Sequence, residues 1–172
     1  MTVEALFLIL VLSVLALAIA HKVYLSIRQS SLGIPGTLIW MDKGANTKPF
    51  FNRAYEVLGK PDLLYRTPSG ILAVEYKSRK GPVFASDIAQ VKCAALAARG
   101  EGYDVRKAIV KTESVSVEVE LPLKDSDLFV EIRPYVLITR LAKRGKPQHA
   151  TPSPTKCLHC AFRTRCEMSA IG

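Results

Sequence analysis

The sequence predicts an α/β fold, a central mixed sheet flanked by helices, with an N-terminal transmembrane helix and a cysteine-rich C-terminal tail. Three patterns lead to it. Thr67-Pro68-Ser69-Gly70 is a turn by composition and joins two runs rich in Leu, Val, Ile and Tyr, the pattern of a β-hairpin. Val115, Val117, Val119 and Leu121 alternate with Ser116, Glu118 and Glu120, as in a half-buried strand. Helical stretches fall between and after these runs, so strands and helices interleave rather than segregate.

Taken in order, residues 5–20 form an apolar run broken only by Ser13 and ended by His21-Lys22. With Val23, Tyr24, Leu25 and Ile27 as interfacial anchors, the run reaches the roughly 20 residues that span a bilayer. Ala18-Ile19-Ala20 also resembles a signal-peptide cleavage site, but no Lys or Arg precedes the run. The expectation is a single-pass anchor over residues 1–28, in contact with the membrane through residues 5–20. Lys22 and Arg28 follow it, which places the C-terminal domain in the cytoplasm by the positive-inside rule.

Residues 29–36 hold Ser30, Ser31, Gly33, Pro35 and Gly36 and read as a linker. A folded domain is expected over 37–150. It starts with a strand at 37–41 and a turn at 42–46, then a strand over 50–58 that leads into the Gly59-Lys60-Pro61 corner. After the hairpin, Ser86 is the expected N-cap of a helix from Asp87 to about Arg99, with Ile88, Val91, Ala95 and Ala98 on one face and Gly100 as its stop. A strand follows at 105–111, then the alternating strand, then a helix over 125–144 that Pro134 breaks or kinks. Residues 145–155 connect to a tail, 151–172.

The 172 residues suffice for one domain with a core plus a small appendage. A net charge of +9 points to a polyanionic partner, with Lys77, Arg79, Lys80, Arg99, Arg106, Lys107 and Lys111 among the cations. Charge alone does not separate DNA from RNA or an anionic membrane.

The hairpin carries the chemistry. A turn centred between Pro68 and Ser69 pairs Arg66 with Ile71, and the same register carried along the ladder sets Asp62 opposite Glu75. Directly opposed residues have Cβ atoms about 4.5–5.5 Å apart, where like charges repel, so a cation is expected between them. Strand side chains alternate, which puts Lys77 on the face of Glu75. Hard oxygen ligands suit Mg²⁺ or Mn²⁺, and a lysine beside them can orient water or stabilise an oxyanion, as a phosphodiesterase requires. Gln90 falls on the following helix.

Cys157, Cys160 and Cys166 form a C-x2-C-x5-C cluster, which in a reducing compartment favours a metal or cluster over disulfides. Zinc or a cuboidal iron–sulfur cluster needs a fourth ligand, and no fourth cysteine lies nearby. Cys93, His149 and His159 are the residues that could supply one. Cys93 also reads as small core filling in an alanine-rich helix.

Gly-Lys-Pro-Asp, then Glu-Tyr-Lys, then Gln90, then a late helix followed by Pro147 and the cysteine cluster, together resemble the CRISPR-associated RecB-like exonucleases of the PD-(D/E)XK nuclease superfamily. The resemblance spans about residues 37–168. It implies a restriction-endonuclease-like core and a Mg²⁺- or Mn²⁺-dependent deoxyribonuclease acting on single-stranded DNA or DNA ends, in CRISPR adaptation or DNA repair with other proteins of those systems. It makes Asp62 and Glu75 metal ligands, Lys77 the catalytic lysine and Gln90 the motif glutamine. Cys157, Cys160 and Cys166 then hold an iron–sulfur cluster, 4Fe-4S, with zinc as the alternative. The chain departs from the family pattern in three places. Ala94 stands where a tyrosine is expected, no cysteine precedes the nuclease motifs, and His21 is the only histidine upstream of Asp62. The rival reading is a catalytically degenerate, membrane-tethered DNA-binding protein of the same fold.

Overall fold

Alanine and glycine decide how closely the layers of this chain approach one another. In the computed structural model, residues 3–28, 33, 34, 36–146, 148, 151–158 and 160–171 are described. They form α1 (Val3–Arg28), β1 (Thr37–Met41), β2 (Phe50–Asn52), β3 (Val57–Gly59), β4 (Leu63–Thr67), β5 (Gly70–Lys77), α2 (Ala85–Gly100), β6 (Val105–Thr112), β7 (Ser116–Glu120), α3 (Asp125–Lys143) and α4 (Pro154–Leu158). The chain divides into two compact units, Met1–Arg133 and Pro134–Gly172.

The first unit holds a five-stranded sheet in the order β1-β4-β5-β6-β7. β5 and β6 are parallel and every other pair is antiparallel, so the sheet is mixed as expected. The parallel pair demands a crossover, and α2 supplies it. One face of the sheet buries Tyr65, Leu72 and Val74 with Ile34, and Leu63 and Ile109 pack at its edge. By strand alternation the opposite face carries Leu64, Ala73, Ala108 and Val110, all fully buried, and in line with them Glu75, Lys77 and Thr112. Ala73 and Ala108 are register partners, and two such small residues side by side leave room for a helix to lie close on the sheet.

α2 fills that room. The expected single apolar face understates its burial, because Ala89, Val91, Ala94, Ala95, Leu96, Ala97 and Ala98 are all buried, around most of its circumference. The reason is a second layer. Residues 50–58 are not one strand but a small antiparallel hairpin, β2 with β3, reversed through a turn at 53–56 where Glu56 has φ 51°. This hairpin packs on α2 as well. A Cβ on Gly59 would sit 2.7 Å from Ala94 Cα, and one on Gly100 would sit 2.4 Å from Asn52 Cα. Asn52 is itself buried and donates to the Leu96 carbonyl at 2.9 Å.

The helix ends are set by side chains other than the expected one. Phe84, not Ser86, occupies the N-cap of α2, and Asp87 accepts the Phe84 N–H at 2.8 Å. Arg99, in the last turn, donates to the Val105 carbonyl at 2.8 Å and to the Pro122 carbonyl at 2.8 Å, and pairs with Asp125 at 3.2 Å. α3 runs through Pro134 instead of ending there. A proline removes the hydrogen bond to the carbonyl four residues back, and that residue, Val130, is exposed to water that can take its place.

The N-terminal expectation is corrected. α1 forms, but among the described residues no helix is long and apolar enough to cross a membrane. The sixteen residues 5–20, apolar but for Ser13, amount to about 24 Å of helix, short of the roughly 30 Å hydrocarbon core. Exposed His21 and Lys22 end the run, and the side chains of residues 24–28, counted as anchors, lie outside those described. The single-pass topology and the cytoplasmic placement both presuppose a span, so they fall with it. Most of the expected linker, 29–36, lies outside the described residues.

The tight layers predict that Gly59→Ala and Gly100→Ala each destabilise the protein, by about 1–3 kcal/mol from overpacking. For Gly100 this opposes the roughly 1 kcal/mol that alanine gains over glycine inside a helix. Urea midpoints measure the effect, and an unchanged or raised midpoint for either variant contradicts the packing described.

Candidate active site

The hairpin follows the register read from its turn. Thr67 pairs with Gly70, Arg66 with Ile71 and so on to Leu63 with Val74. One step further, where Asp62 and Glu75 come opposite, the ladder gives way. Asp62 N–H reaches the Val74 carbonyl at 3.1 Å, and its Oδ2 accepts the Tyr76 N–H at 2.6 Å. An aspartate side chain thus replaces a backbone acceptor at the end of the strand pair, which locks its carboxylate beside β5.

Glu75, Lys77 and Gln90 form a closed triangle. Lys77 Nζ donates to Glu75 Oε1 at 2.8 Å and to Gln90 Oε1 at 2.8 Å, while Gln90 Nε2 donates to Glu75 Oε1 at 2.6 Å. Glu75 is only 2% exposed. Burial pushes its carboxyl above the ordinary value, the Lys77 hydrogen bond opposes that, and the charges of Asp62 and Asp87 add to it. Its second oxygen, Oε2, is buried and has no hydrogen-bond partner among the described residues.

That orphaned oxygen is the test of whether the residues suit a divalent cation. A buried carboxylate oxygen normally has a partner, and an unpaired one is costly. Oε2 of Glu75 and the carboxylate of Asp62, close enough for one charge to perturb the other, offer hard oxygen donors of the kind Mg²⁺ or Mn²⁺ takes. The residues fit such an ion.

The remaining expected ligands do not assemble. Among the described residues there is no group of three or more His, Cys, Asp or Glu arranged to hold a metal. His21 lies exposed on α1 and supplies no third ligand. Cys157 is buried and accepts the Ala170 N–H at 3.4 Å, Cys160 is exposed, Cys166 is half-buried, and all are free thiols. The described residues therefore bring together no iron–sulfur or zinc centre, and His149 and His159 lie outside them. Cys93 is half-buried on α2, and burial pushes its thiol up, as for an inert filling residue.

The packing also explains Ala94. It is 1% exposed, and its Cα lies 2.7 Å from where a Cβ on Gly59 would stand, so the helix is tightly enclosed there and a tyrosine would overpack it.

A second cluster went unread in the sequence. Arg79 forms an ion pair with buried Asp87 and donates to the Pro82 carbonyl at 3.3 Å, with its guanidinium carbon 4.8 Å from the centre of the Phe84 ring. Burial alone would raise the Asp87 carboxyl, but the Phe84 N–H and Arg79 more than offset it and hold it below the usual range. The signal was present as an acidic residue three positions after the N-cap.

A family model described as the PD-(D/E)XK nuclease superfamily matches residues 17–167. Among solved structures, one titled "Crystal structure of SSO0001" is 16% identical, covers 90% of this chain and 70% of its own, and has a TM-score of 0.41. No curated protein matches the chain. With the match running over most of its length, the chain belongs to the PD-(D/E)XK nuclease superfamily.

Proposed function

We propose that this protein is a metal-dependent nuclease that hydrolyses phosphodiester bonds in DNA, at single strands or ends, with Asp62 and Glu75 holding Mg²⁺ or Mn²⁺. The observation that carries the reading is the buried, partnerless Oε2 of Glu75 beside Asp62, within a triangle completed by Lys77 and Gln90. Members of the superfamily are generally nucleases that use these ions, and the net charge of +9 suits a polyanion.

The bound ion supplies a Lewis acid and a water of lowered pKa. The protein's own groups do the positioning. Lys77 carries an ammonium between two acceptors and can turn one N–H toward a phosphate oxygen or the attacking water without leaving Glu75. Gln90 fixes that ammonium from α2, so the helix holds the lysine and the glutamate in one geometry. A nuclease domain over 37–150 with a tail over 151–172 is part of the proposal, and a setting in CRISPR adaptation or DNA repair rests on the motif resemblance alone.

Glu75→Ala and Lys77→Ala should each lower cleavage of end-labelled single-stranded DNA by the full chain with Mn²⁺ at least about 100-fold, the scale of losing a charged group at the reacting centre. If both variants cut as well as wild type the assignment is wrong, and if wild type binds DNA without cutting it the non-catalytic reading takes over.

The raised Glu75 pKa gives a stability prediction with its own sign. A carboxyl whose folded pKa lies above its ordinary 4.5 contributes fully below pH 4.5 and loses that contribution as pH rises through the folded value. In EDTA at pH 7.5, Glu75→Gln should therefore unfold at higher urea than wild type, and the gain should vanish by about pH 4. Adding Mn²⁺ should raise the wild-type midpoint and leave that of Glu75→Gln unchanged. Equal metal responses would remove Glu75 from the ligand set.

A further inference from the structure

We propose that Phe84, backed by Arg79, is a nucleobase-stacking platform at the mouth of the site, which selects single-stranded DNA or an unpaired DNA end. The proposal deepens the nuclease reading and rests on it for the identity of the strand. Phe84 stands at the entry to α2 and is 46% exposed. A lone exposed aromatic says little, but this one has built surroundings. The Arg79 guanidinium lies over its ring at 4.8 Å, which leaves the uncovered part of the ring to solvent.

The platform is held still. Asp87 grips both Arg79 and the Phe84 backbone. The loop between them is tied to the β6–β7 turn by three bonds: Glu113 N–H to the Arg79 carbonyl at 3.0 Å, Thr112 Oγ1 to the Gly81 carbonyl at 3.0 Å, and Gly81 N–H to Ser114 Oγ at 2.9 Å. A ring presented from an ordered loop costs a ligand little additional ordering.

Its position relates it to the carboxylates. Phe84 caps α2, Asp87 in the first turn accepts its N–H, and the charge of Asp87 is close enough to act on Glu75. Gln90 bonds Glu75 and Lys77, and Arg79 comes two residues after Lys77. From this N-cap to Gln90 the helix rises about 9 Å, a span within reach of a single strand. The chemistry points to a base more than to an apolar peptide. Arg79 puts positive charge beside the ring, a base offers a π-face of any sequence, and a cation behind the ring strengthens the stack. A base inside a duplex has both faces covered and is not available to it.

The test uses the full chain, without metal, and a single-stranded oligonucleotide carrying 2-aminopurine, whose fluorescence falls when it stacks on an aromatic ring. Wild type should quench the probe on binding, Phe84→Trp should keep the quench, and Phe84→Ala and Phe84→Leu should lose it and bind about tenfold more weakly. Leucine keeps apolar bulk at the N-cap, so loss in both variants assigns the effect to the ring and not to the fold. A blunt duplex with internal 2-aminopurine should show no change of signal that depends on Phe84. The stacking proposal is overturned if Phe84→Leu quenches as wild type does, if wild type binds the oligonucleotide without quenching, or if it does not bind it. Because the readout needs no cleavage, an inactive but quenching protein would sink the nuclease reading and leave the platform standing.

Discussion

The close approach of α2 to the sheet and to the β2–β3 hairpin governs the rest of the structure. Ala73 and Ala108 let the helix settle onto the sheet, and Gly59 and Gly100 let the β2–β3 hairpin settle onto the helix. Interiors are packed densely enough that each of these contacts is felt. The consequence reaches the chemistry through Gln90. A helix raised from the sheet by one methyl group would lift Gln90 from Glu75 and Lys77, and with it a tie that fixes the lysine from outside β5. Small residues buried far from any reaction thus set the geometry of the charged ones.

Glu75 shows what that geometry costs. Taking a carboxylate out of water is expensive unless it is paired and hydrogen-bonded. Here one oxygen receives both Lys77 and Gln90, and the other receives nothing. A chain selected for stability alone would put an apolar side chain at this point of the sheet, where Val74 and Val110 are neighbours. A half-satisfied buried acid is the kind of local inconsistency that proteins carry at functional sites and compensate elsewhere.

The hairpin was legible because turn chemistry is local. Once Pro68 and Ser69 set the reversal, every pair to Leu63 and Val74 followed. Asp62 escaped the same logic because its side chain competes for the Tyr76 N–H that the ladder would have used, an event that alternation does not encode. The burial of α2 was underestimated for a related reason. Ala94 and Ala97 look neutral in a periodicity count, yet here they are contact surfaces for a hairpin whose existence hinged on Glu56 adopting a positive φ. The N-terminal run was misjudged through its flanks, since a run of sixteen residues reaches a membrane's thickness only when the neighbours are counted with it. The cysteine spacing suggested a common centre, and spacing does not impose convergence.

The topology finally bears on which groups can meet a phosphate. The site lies where β5 ends and α2 begins, outside the carboxyl end of a strand in a parallel pair, where α/β sheets commonly bind ligands. A helix N-terminus in that place often takes an anion directly. In this chain Asp87 already accepts the Phe84 N–H, so that positive end is engaged by an internal carboxylate. Contact with a phosphate is left to side chains, Lys77 and Arg79, and each is paired to an acid. Asp62, Glu75 and Asp87, when ionised, outnumber those two cations by one charge. On the proposed reading a divalent cation reverses the sign of this local field, so metal should strengthen DNA binding at the site beyond what the chain's overall positive charge gives without it, and metal and DNA should bind cooperatively.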